Sequence, residues 1–201
     1  EKQHKKSLFL QWLNPNDKET CTWGETQKNI LKLAKIIKEN IKEGDRCLLV
    51  SENRPEWFVS DMVIMLSGGI TVPAYTTYTE EDYKYLIEDC EPSLLIVSNN
   101  EMLKKLSNTI NEKEFIKKVI TLDELNNVID NLYIINKEKY LDFNIILKNN
   151  LLEEDKIKND KLKRTSPACI IYTSGTGGNP KGVILSHGGI LNNLVGACEI
   201  M

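Results

Sequence analysis

Residues 47–97 read CLLVSENRPEWFVSDMVIMLSGGITVPAYTTYTEEDYKYLIEDCEPSLLIV. Three short apolar runs stand out: Cys47-Leu48-Leu49-Val50, Ile70-Thr71-Val72 ended by Pro73, and Leu94-Leu95-Ile96-Val97. None alternates apolar with polar residues, so each predicts a strand buried on both faces. The segments between them carry helix signals. Pro55 suits a first helical position, and Trp57, Phe58, Met62 and Met65 lead on to Gly68-Gly69. Thr79, with Asp82 three residues later, opens a second helix through Tyr83, Leu86 and Ile87 that Pro92 stops. Strands joined in this way by helices pair in parallel. The stretch predicts an α/β fold: a mostly parallel sheet flanked by helices.

The pattern extends on both sides. Upstream, Thr22 and Glu25 form a capping-box pair, after which Ile30, Leu33, Ala34, Ile37 and Ile41 recur at helical spacing. Gly44 is expected to end that helix. Downstream, a helix near residues 101–113 precedes a short strand at Val119-Ile120-Thr121. Residues 20–121 are read as an α/β repeat region. Residues 122–164 interleave Leu and Ile with Asn, Lys and Glu and carry no firm strand signal. They predict one or two surface helices followed by a solvated linker over Leu151–Arg164. A basic patch facing an acidic membrane or CoA is the weaker reading there, because Glu153, Glu154, Asp155 and Asp160 are mixed among the lysines. Residues 165–201 return to strand, loop, strand and helix.

That last segment carries the chemistry. Residues 170–187 read IIYTSGTGGNPKGVILSH. Thr173, Ser174, Gly175, Thr176, Gly177 and Gly178 follow one another, so backbone N–H groups can converge on an anion without interference from Cβ atoms, and hydroxyls add donors. Lys181 supplies a countercharge. The spacing predicts a phosphate-binding loop between two strands. A P-loop of the NTPase type would need its Lys and Ser/Thr to enter a helix at once. Here Lys181 precedes Gly182, and the β-like triplet Val183-Ile184-Leu185 follows. Pro180 also removes an amide that such a cradle would use, and no G-x-G-x-x-G opens a helix. A plain Gly/Ser-rich connector is the competing reading, and it leaves the order of hydroxyls, Pro-Lys-Gly and flanking strands unexplained.

Other conspicuous residues read as scaffold. Trp57 and Phe58 suit a core. Tyr75 and Tyr78 lie just past a strand end, where ligands of parallel sheets gather, yet packing is the favoured reading. Ser186 reads as the N-cap of a final helix and His187 as its first residue rather than a base. No carboxylate pair is spaced for acid–base work.

YTSGTGGNPKGVILSH (172–187) closely resembles the signature of the acyl-adenylate-forming (AMP-binding) enzymes, a superfamily of acyl-CoA synthetases, luciferases and adenylation domains of peptide synthetases. Their usual pattern reads Tyr-Thr-Ser-Gly-Thr-Thr-Gly-x-Pro-Lys-Gly. Thr22-Trp23-Gly24-Glu25 resembles the entry to their first helix. Residues 51–79, with Asn53-Arg54-Pro55-Glu56-Trp57 and Val72-Pro73-Ala74-Tyr75, resemble the long-chain acyl-CoA synthetase branch. The resemblance covers most of residues 20–201 and is weakest over 122–164.

The resemblance implies that residues 1–201 form the N-terminal part of the AMP-binding domain of a long-chain fatty acid–CoA ligase. It implies that Thr173, Ser174, Gly175, Thr176, Gly177, Gly178 and Lys181 embrace the ATP phosphates, with Lys181 stabilising the leaving group. Gly177 departs from the pattern, which has Thr there, so one hydroxyl donor is missing and a more flexible loop is expected. The implied substrates are a fatty acid, ATP and CoA, with Mg2+ as cofactor. The adenine-binding segment, the acidic Mg2+ ligand, the ribose-binding Asp, a C-terminal lysine and most of the acyl pocket are implied downstream of Met201. Residues 1–201 alone are therefore expected to bind ATP weakly and catalyse nothing. Two alternatives stay open: a non-catalytic nucleotide-binding relative, which Gly177 favours, and an adenylating enzyme for another carboxylic or amino acid.

Composition narrows the partners. A chain of 201 residues is long enough to bury a real core. Its formal net charge of −3 argues against a nucleic-acid footprint. The five cysteines are scattered without a C-x-x-C pair, and with only His4 and His187 beside them no zinc set and no metal ligand is assigned. They read as small buried groups or idle thiols in a reducing compartment. No apolar run approaches the ~20 residues of a membrane span. These readings point to the cytoplasm or to peripheral association with the cytosolic face of a membrane. Acyl chain length and oligomeric state are not encoded in this segment.

Overall fold

The computed structural model describes residues 4–11, 20–125, 136–149, 161–174 and 179–200. The chain opens with strands β1 (Leu8–Gln11) and β2 (Thr20–Thr22), then helix α1 (Trp23–Asn40). Strand β3 (Arg46–Val50), helix α2 (Pro55–Leu66), β4 (Ile70–Ala74), α3 (Glu80–Cys90), β5 (Leu94–Val97), α4 (Asn100–Glu112) and β6 (Lys118–Thr121) follow in alternation. After a single 3-10 turn at Lys137–Lys139 come β7 (Tyr140–Asp142) and α5 (Phe143–Asn149). The last elements are β8 (Pro167–Thr173), β9 (Lys181–Ser186) and α6 (His187–Ile200).

Seven strands form one sheet in the order β7-β6-β5-β3-β4-β8-β9. All neighbours are parallel except β8 and β9, which make an antiparallel hairpin at the edge. Strand β3 explains the arrangement. Its Cys47, Leu48, Leu49 and Val50 are fully buried, with successive side chains sent to opposite faces. Leu48 and Val50 join a core with α3 and α4, through Tyr83, Leu86, Ile87, Leu103 and Leu106. Cys47 and Leu49 join a second core with α1, α2 and α5, through Leu33, Ile37, Val63 and Phe143. Burial of Leu48, Leu49 and Val50 is worth roughly 1.5–3 kcal/mol each. Four consecutive apolar strand residues need such a cover on both sides.

Local signals set the helix starts. Thr22 and Glu25 close the expected capping box: the Thr22 backbone N–H donates to Glu25 Oε2 at 2.8 Å, and the Glu25 N–H donates to Thr22 Oγ1 at 3.3 Å. Thr79 and Asp82 repeat it at 2.9 and 3.1 Å. Pro55 occupies the first turn of α2, and α3 stops at Cys90, before Pro92. Trp57 packs against the second core. Phe58 meets Phe9 edge-on with ring centroids 5.2 Å apart, which pins the β1–β2 ribbon to α2.

Three expectations need correction. Helix α1 ends at Asn40, where Ile41 turns extended, and Gly44 with φ +82° serves instead the turn into β3, donating its N–H to the Gly68 carbonyl at 2.8 Å. Strand β4 does not stop at Pro73 but runs to Ala74, with Pro73 in register with Leu49. On its other edge β4 meets β8 at a single registered pair, Thr71 with Cys169, so a residue without an N–H is tolerated just beyond it. Within 122–164, β7 is a true sixth parallel strand flanked by polar sequence. Its Asp142 caps α5, accepting from Ile145 N–H at 3.0 Å and from Leu125 N–H at 2.9 Å. The β1–β2 ribbon was not anticipated, and of the linker expected over Leu151–Arg164, residues 151–160 lie outside the described residues.

One half-buried acid sits under this architecture. Asp61 on α2 lies against Thr71 and Cys169. Burial holds its carboxyl above the ordinary value of 3.8; the Thr71 hydroxyl opposes this without closing a well-formed hydrogen bond. The folded state therefore keeps a proton that the unfolded chain releases, and stability falls as pH rises from the ordinary Asp value through the raised one. Thermal unfolding of Asp61→Asn between about pH 4 and pH 7 should show a flatter decline than the parent protein. Parallel curves would mean that Asp61 stays hydrated.

Candidate functional site

In a parallel sheet the loops that follow the strands gather at one edge, and ligands bind where neighbouring loops leave toward opposite faces. Here β3 leads into α2 on one face while its neighbour β5 leads into α4 on the other. Beside the crevice between their carboxyl ends lies Arg54. Its guanidinium donates to Glu56 Oε2 and to Asp123 Oδ1, both at 2.8 Å, with Glu52 at 3.5 Å. Only 17% of the Arg54 side chain is exposed. These ion pairs bridge the segments that follow β3 and β6. A shallow depression of about 390 Å³ lies at the opposite, amino edge between Gly44, Gly68 and Pro167, with Glu43 the one charged residue on its wall.

The open position lies farther along the same carboxyl edge, at the β8–β9 hairpin. Strand β8 runs parallel to β4 and ends at Thr173, and β9 returns antiparallel from Lys181. Thr173 and Lys181 are registered partners across the hairpin, and Thr173, Ser174 and Lys181 are all exposed there. The structure thus brings together three of the seven residues that sequence reading assigned to phosphate binding. Gly175, Thr176, Gly177 and Gly178 lie outside the described residues. Two hydroxyls and an ammonium on one exposed rim can hold an anion.

Two tyrosines that sequence reading did not single out fasten this hairpin to α3. The Tyr172 hydroxyl donates to Asp89 Oδ2 at 2.5 Å, and the Tyr85 hydroxyl donates to the Pro180 carbonyl at 2.9 Å. Burial, seconded by Asp89, pushes the Tyr172 phenol well above the usual tyrosine range, so it stays a donor. The one available signal was the i, i+4 spacing of Tyr85 and Asp89 on a polar flank of a helix. Gly182 belongs to the same device. A Cβ there would lie 2.8 Å from Ile170 Cγ2 and 3.3 Å from the Tyr172 ring, so its lack of a side chain lets both lie across β9.

The remaining candidates fall into place as scaffold or rim. Ser186 Oγ accepts from the Gly189 N–H at 3.1 Å, which makes it the N-cap of α6 as expected. His187 starts that helix at the amino edge, beside Ser166, at the other end of β9 from Lys181; burial holds its imidazole below the usual value. It is not part of the rim. Tyr78 packs against the core, in line with its reading, and its ring meets Tyr75 edge-on at 5.6 Å. Tyr75 departs from its reading: it is 71% exposed at the end of β4, next to β8.

A family model described as AMP-binding enzyme matches residues 1–200. The chain is 33% identical over 139 residues to long-chain-fatty-acid–CoA ligase ACSBG2 of Xenopus laevis, covering 69% of this chain and 18% of that protein. It is 30% identical over 157 residues to long-chain-fatty-acid–CoA ligase ACSBG1 of Homo sapiens, covering 77% and 21%. With long chain acyl-CoA synthetase 3 of Arabidopsis thaliana it shares 28% identity over 184 residues, covering 90% and 27%. The chain thus spans between 18% and 27% of the length of these curated relatives. Among solved structures, the anthranilate CoA ligase AuaEII in complex with anthranoyl-AMP matches with a TM-score of 0.71 at 22% identity, over 92% of this chain and 32% of that one. ATP-bound MatB from Rhodopseudomonas palustris matches with a TM-score of 0.69 at 21% identity, over 88% and 32%. At these identities the structural likeness establishes the fold.

The contacts around Gly182 can be tested by adding a single methyl group. Gly182→Ala should destabilise the protein by about 1–3 kcal/mol, because Ile170 is branched at Cβ and packed against the core. Gly196→Ala on α6, where an added Cβ meets nothing within 4 Å, should be neutral or stabilising by up to about 1 kcal/mol. Equal thermal midpoints for the two variants would refute the steric account.

Proposed function

Because the chain belongs to the AMP-binding enzyme family, we propose that it forms the phosphate-holding part of an ATP-dependent ligase that joins a long-chain fatty acid to CoA through an acyl-adenylate. The observation that carries this reading is the β8–β9 hairpin, with Thr173, Ser174 and Lys181 on one exposed rim at the carboxyl edge of the sheet. The names of the curated relatives support the choice of a long-chain acid.

In this reading a carboxylate oxygen attacks the α-phosphorus of ATP and pyrophosphate leaves. Charge builds on the leaving group, and that is where the loop acts. Thr173 and Ser174 hydroxyls, with Thr176 and the amides of Gly175, Gly177 and Gly178, hold the β- and γ-phosphates, and the Lys181 ammonium offsets the developing charge. The thiol of CoA then displaces AMP from the adenylate to give the thioester. Mg2+ supplies further charge neutralisation when bound. Among the described residues no group of three His, Cys, Asp or Glu is placed to hold a metal ion. The glycines let the loop close over ATP and open to release product. The reaction belongs in the cytoplasm or at the cytosolic face of a membrane. No helix among the described residues is long and apolar enough to cross one.

A second reading, a nucleotide-binding relative without turnover, rests on Gly177, which stands where the family pattern has Thr. The acid class is the finer question, since the solved relatives include an anthranilate ligase.

ATP–pyrophosphate exchange by the complete protein, with acids from acetate to long-chain fatty acids and amino acids, separates these readings. Exchange is expected with long-chain fatty acids, and Lys181→Ala should slow it by roughly 10²-fold. Gly177→Thr should raise the rate if the missing hydroxyl limits it. Exchange with a different acid class would move the substrate assignment. A folded, ATP-binding protein that exchanges with no acid would favour the second reading.

A further inference from the structure

We infer that Tyr85 is a positioning residue for the phosphate-binding loop: its hydroxyl, donated to the Pro180 carbonyl, fixes the peptide plane from which Lys181 leaves the loop. This rests on the function proposed above. The geometry is specific. Pro180 has no N–H, and its ring fixes φ, so its carbonyl is the one backbone hydrogen-bonding group that Pro180 itself offers. That carbonyl accepts from Tyr85 at 2.9 Å. The peptide it belongs to continues into Lys181, which pairs with Thr173 across the hairpin. Fixing this plane fixes the direction in which the Lys181 side chain starts.

Helix α3 is built to act as the anchor. Its first turn is closed by the Thr79–Asp82 capping box. Tyr83, fully buried, donates to the Tyr75 carbonyl at 2.6 Å and so holds the end of β4. Lys105 of α4 donates to the Tyr78 carbonyl and secures the connection that enters α3. Tyr85 and Asp89 lie one turn apart along the flank of α3 beside the hairpin, and Asp89 takes the Tyr172 hydroxyl. One rigid helix thus spans from the end of β4 to the loop exit. The separation of roles follows: Tyr83 serves the core, Asp89 serves the strand, and Tyr85 alone of these reaches the loop.

The test uses the complete protein, with calorimetric binding of Mg·ATP and acid-dependent AMP formation as readouts. Tyr85→Phe keeps the ring and removes only the hydroxyl. It is expected to weaken ATP binding roughly three- to tenfold while the thermal midpoint changes little, as for the loss of one hydrogen bond. The same substitution in a Lys181→Ala background should have no effect on ATP affinity, because Tyr85 acts through Lys181. Equal losses in both backgrounds would make Tyr85 a plain structural tether and overturn the proposal. So would a Tyr85→Phe protein that binds ATP as tightly as the parent, and in that case a parent that forms AMP would leave the proposed function standing. A parent protein that neither binds ATP nor forms AMP with any acid would overturn both.

Discussion

The double-sided burial of β3 is the constraint on which the other features depend. A strand whose last four side chains are all apolar cannot present either face to water, so helices must cover both. Helices on both faces require crossover connections, and these make the strands parallel. Parallel strands all end at the same edge. The exposed rim at Thr173, Ser174 and Lys181 lies on that edge because Cys47 to Val50 demand two cores.

Within that frame, the position of the site is decided by what is already engaged. The crevice between β3 and β5 has the topology that usually receives a ligand, and beside it Arg54 is engaged by three carboxylates. The β8–β9 hairpin solves the problem differently. Its single antiparallel turn brings the cation at position 181 back to the same edge as the hydroxyls at 173 and 174. A parallel continuation would have carried the chain away through another crossover and dispersed them. The Pro180-Lys181-Gly182 run then has a part for each residue: a carbonyl for Tyr85, a charge for the rim, and an empty place for the Tyr172 ring.

This explains which features could be read in advance. Strands β3 and β5 and both capping boxes were legible because period and cap are local properties of a few neighbouring residues. The rim residues were legible for the same reason, since one hairpin encodes them in a contiguous stretch. Strand β7 was hidden because its burial comes from packing across β6, while its flanks are Lys, Asn and Glu. The β1–β2 ribbon leaves little trace, being held by Phe9 against Trp23 and Phe58, residues far apart in the chain. The Tyr85 contact spans 95 positions and has no local period at all. Tyr75 misled because a strand end can place an aromatic ring either under a helix or beside a cleft, and only the neighbouring β8 decides which.

The join between β4 and β8 is narrow: one registered pair, against five between β3 and β4. Such a seam divides the molecule into regions of unequal local stability, since fewer ladder bonds must break to part the hairpin from the sheet than to separate the inner strands. Backbone amides of β3 and β5, paired on both sides and covered by both cores, are expected to exchange with solvent more slowly than those of β8 and β9. Those of β8 and β9 have a cheaper route, a fluctuation that lifts the hairpin while both cores stay intact. The exposed rim of Thr173, Ser174 and Lys181 is thereby carried by the part of the sheet that is most easily parted from the two cores.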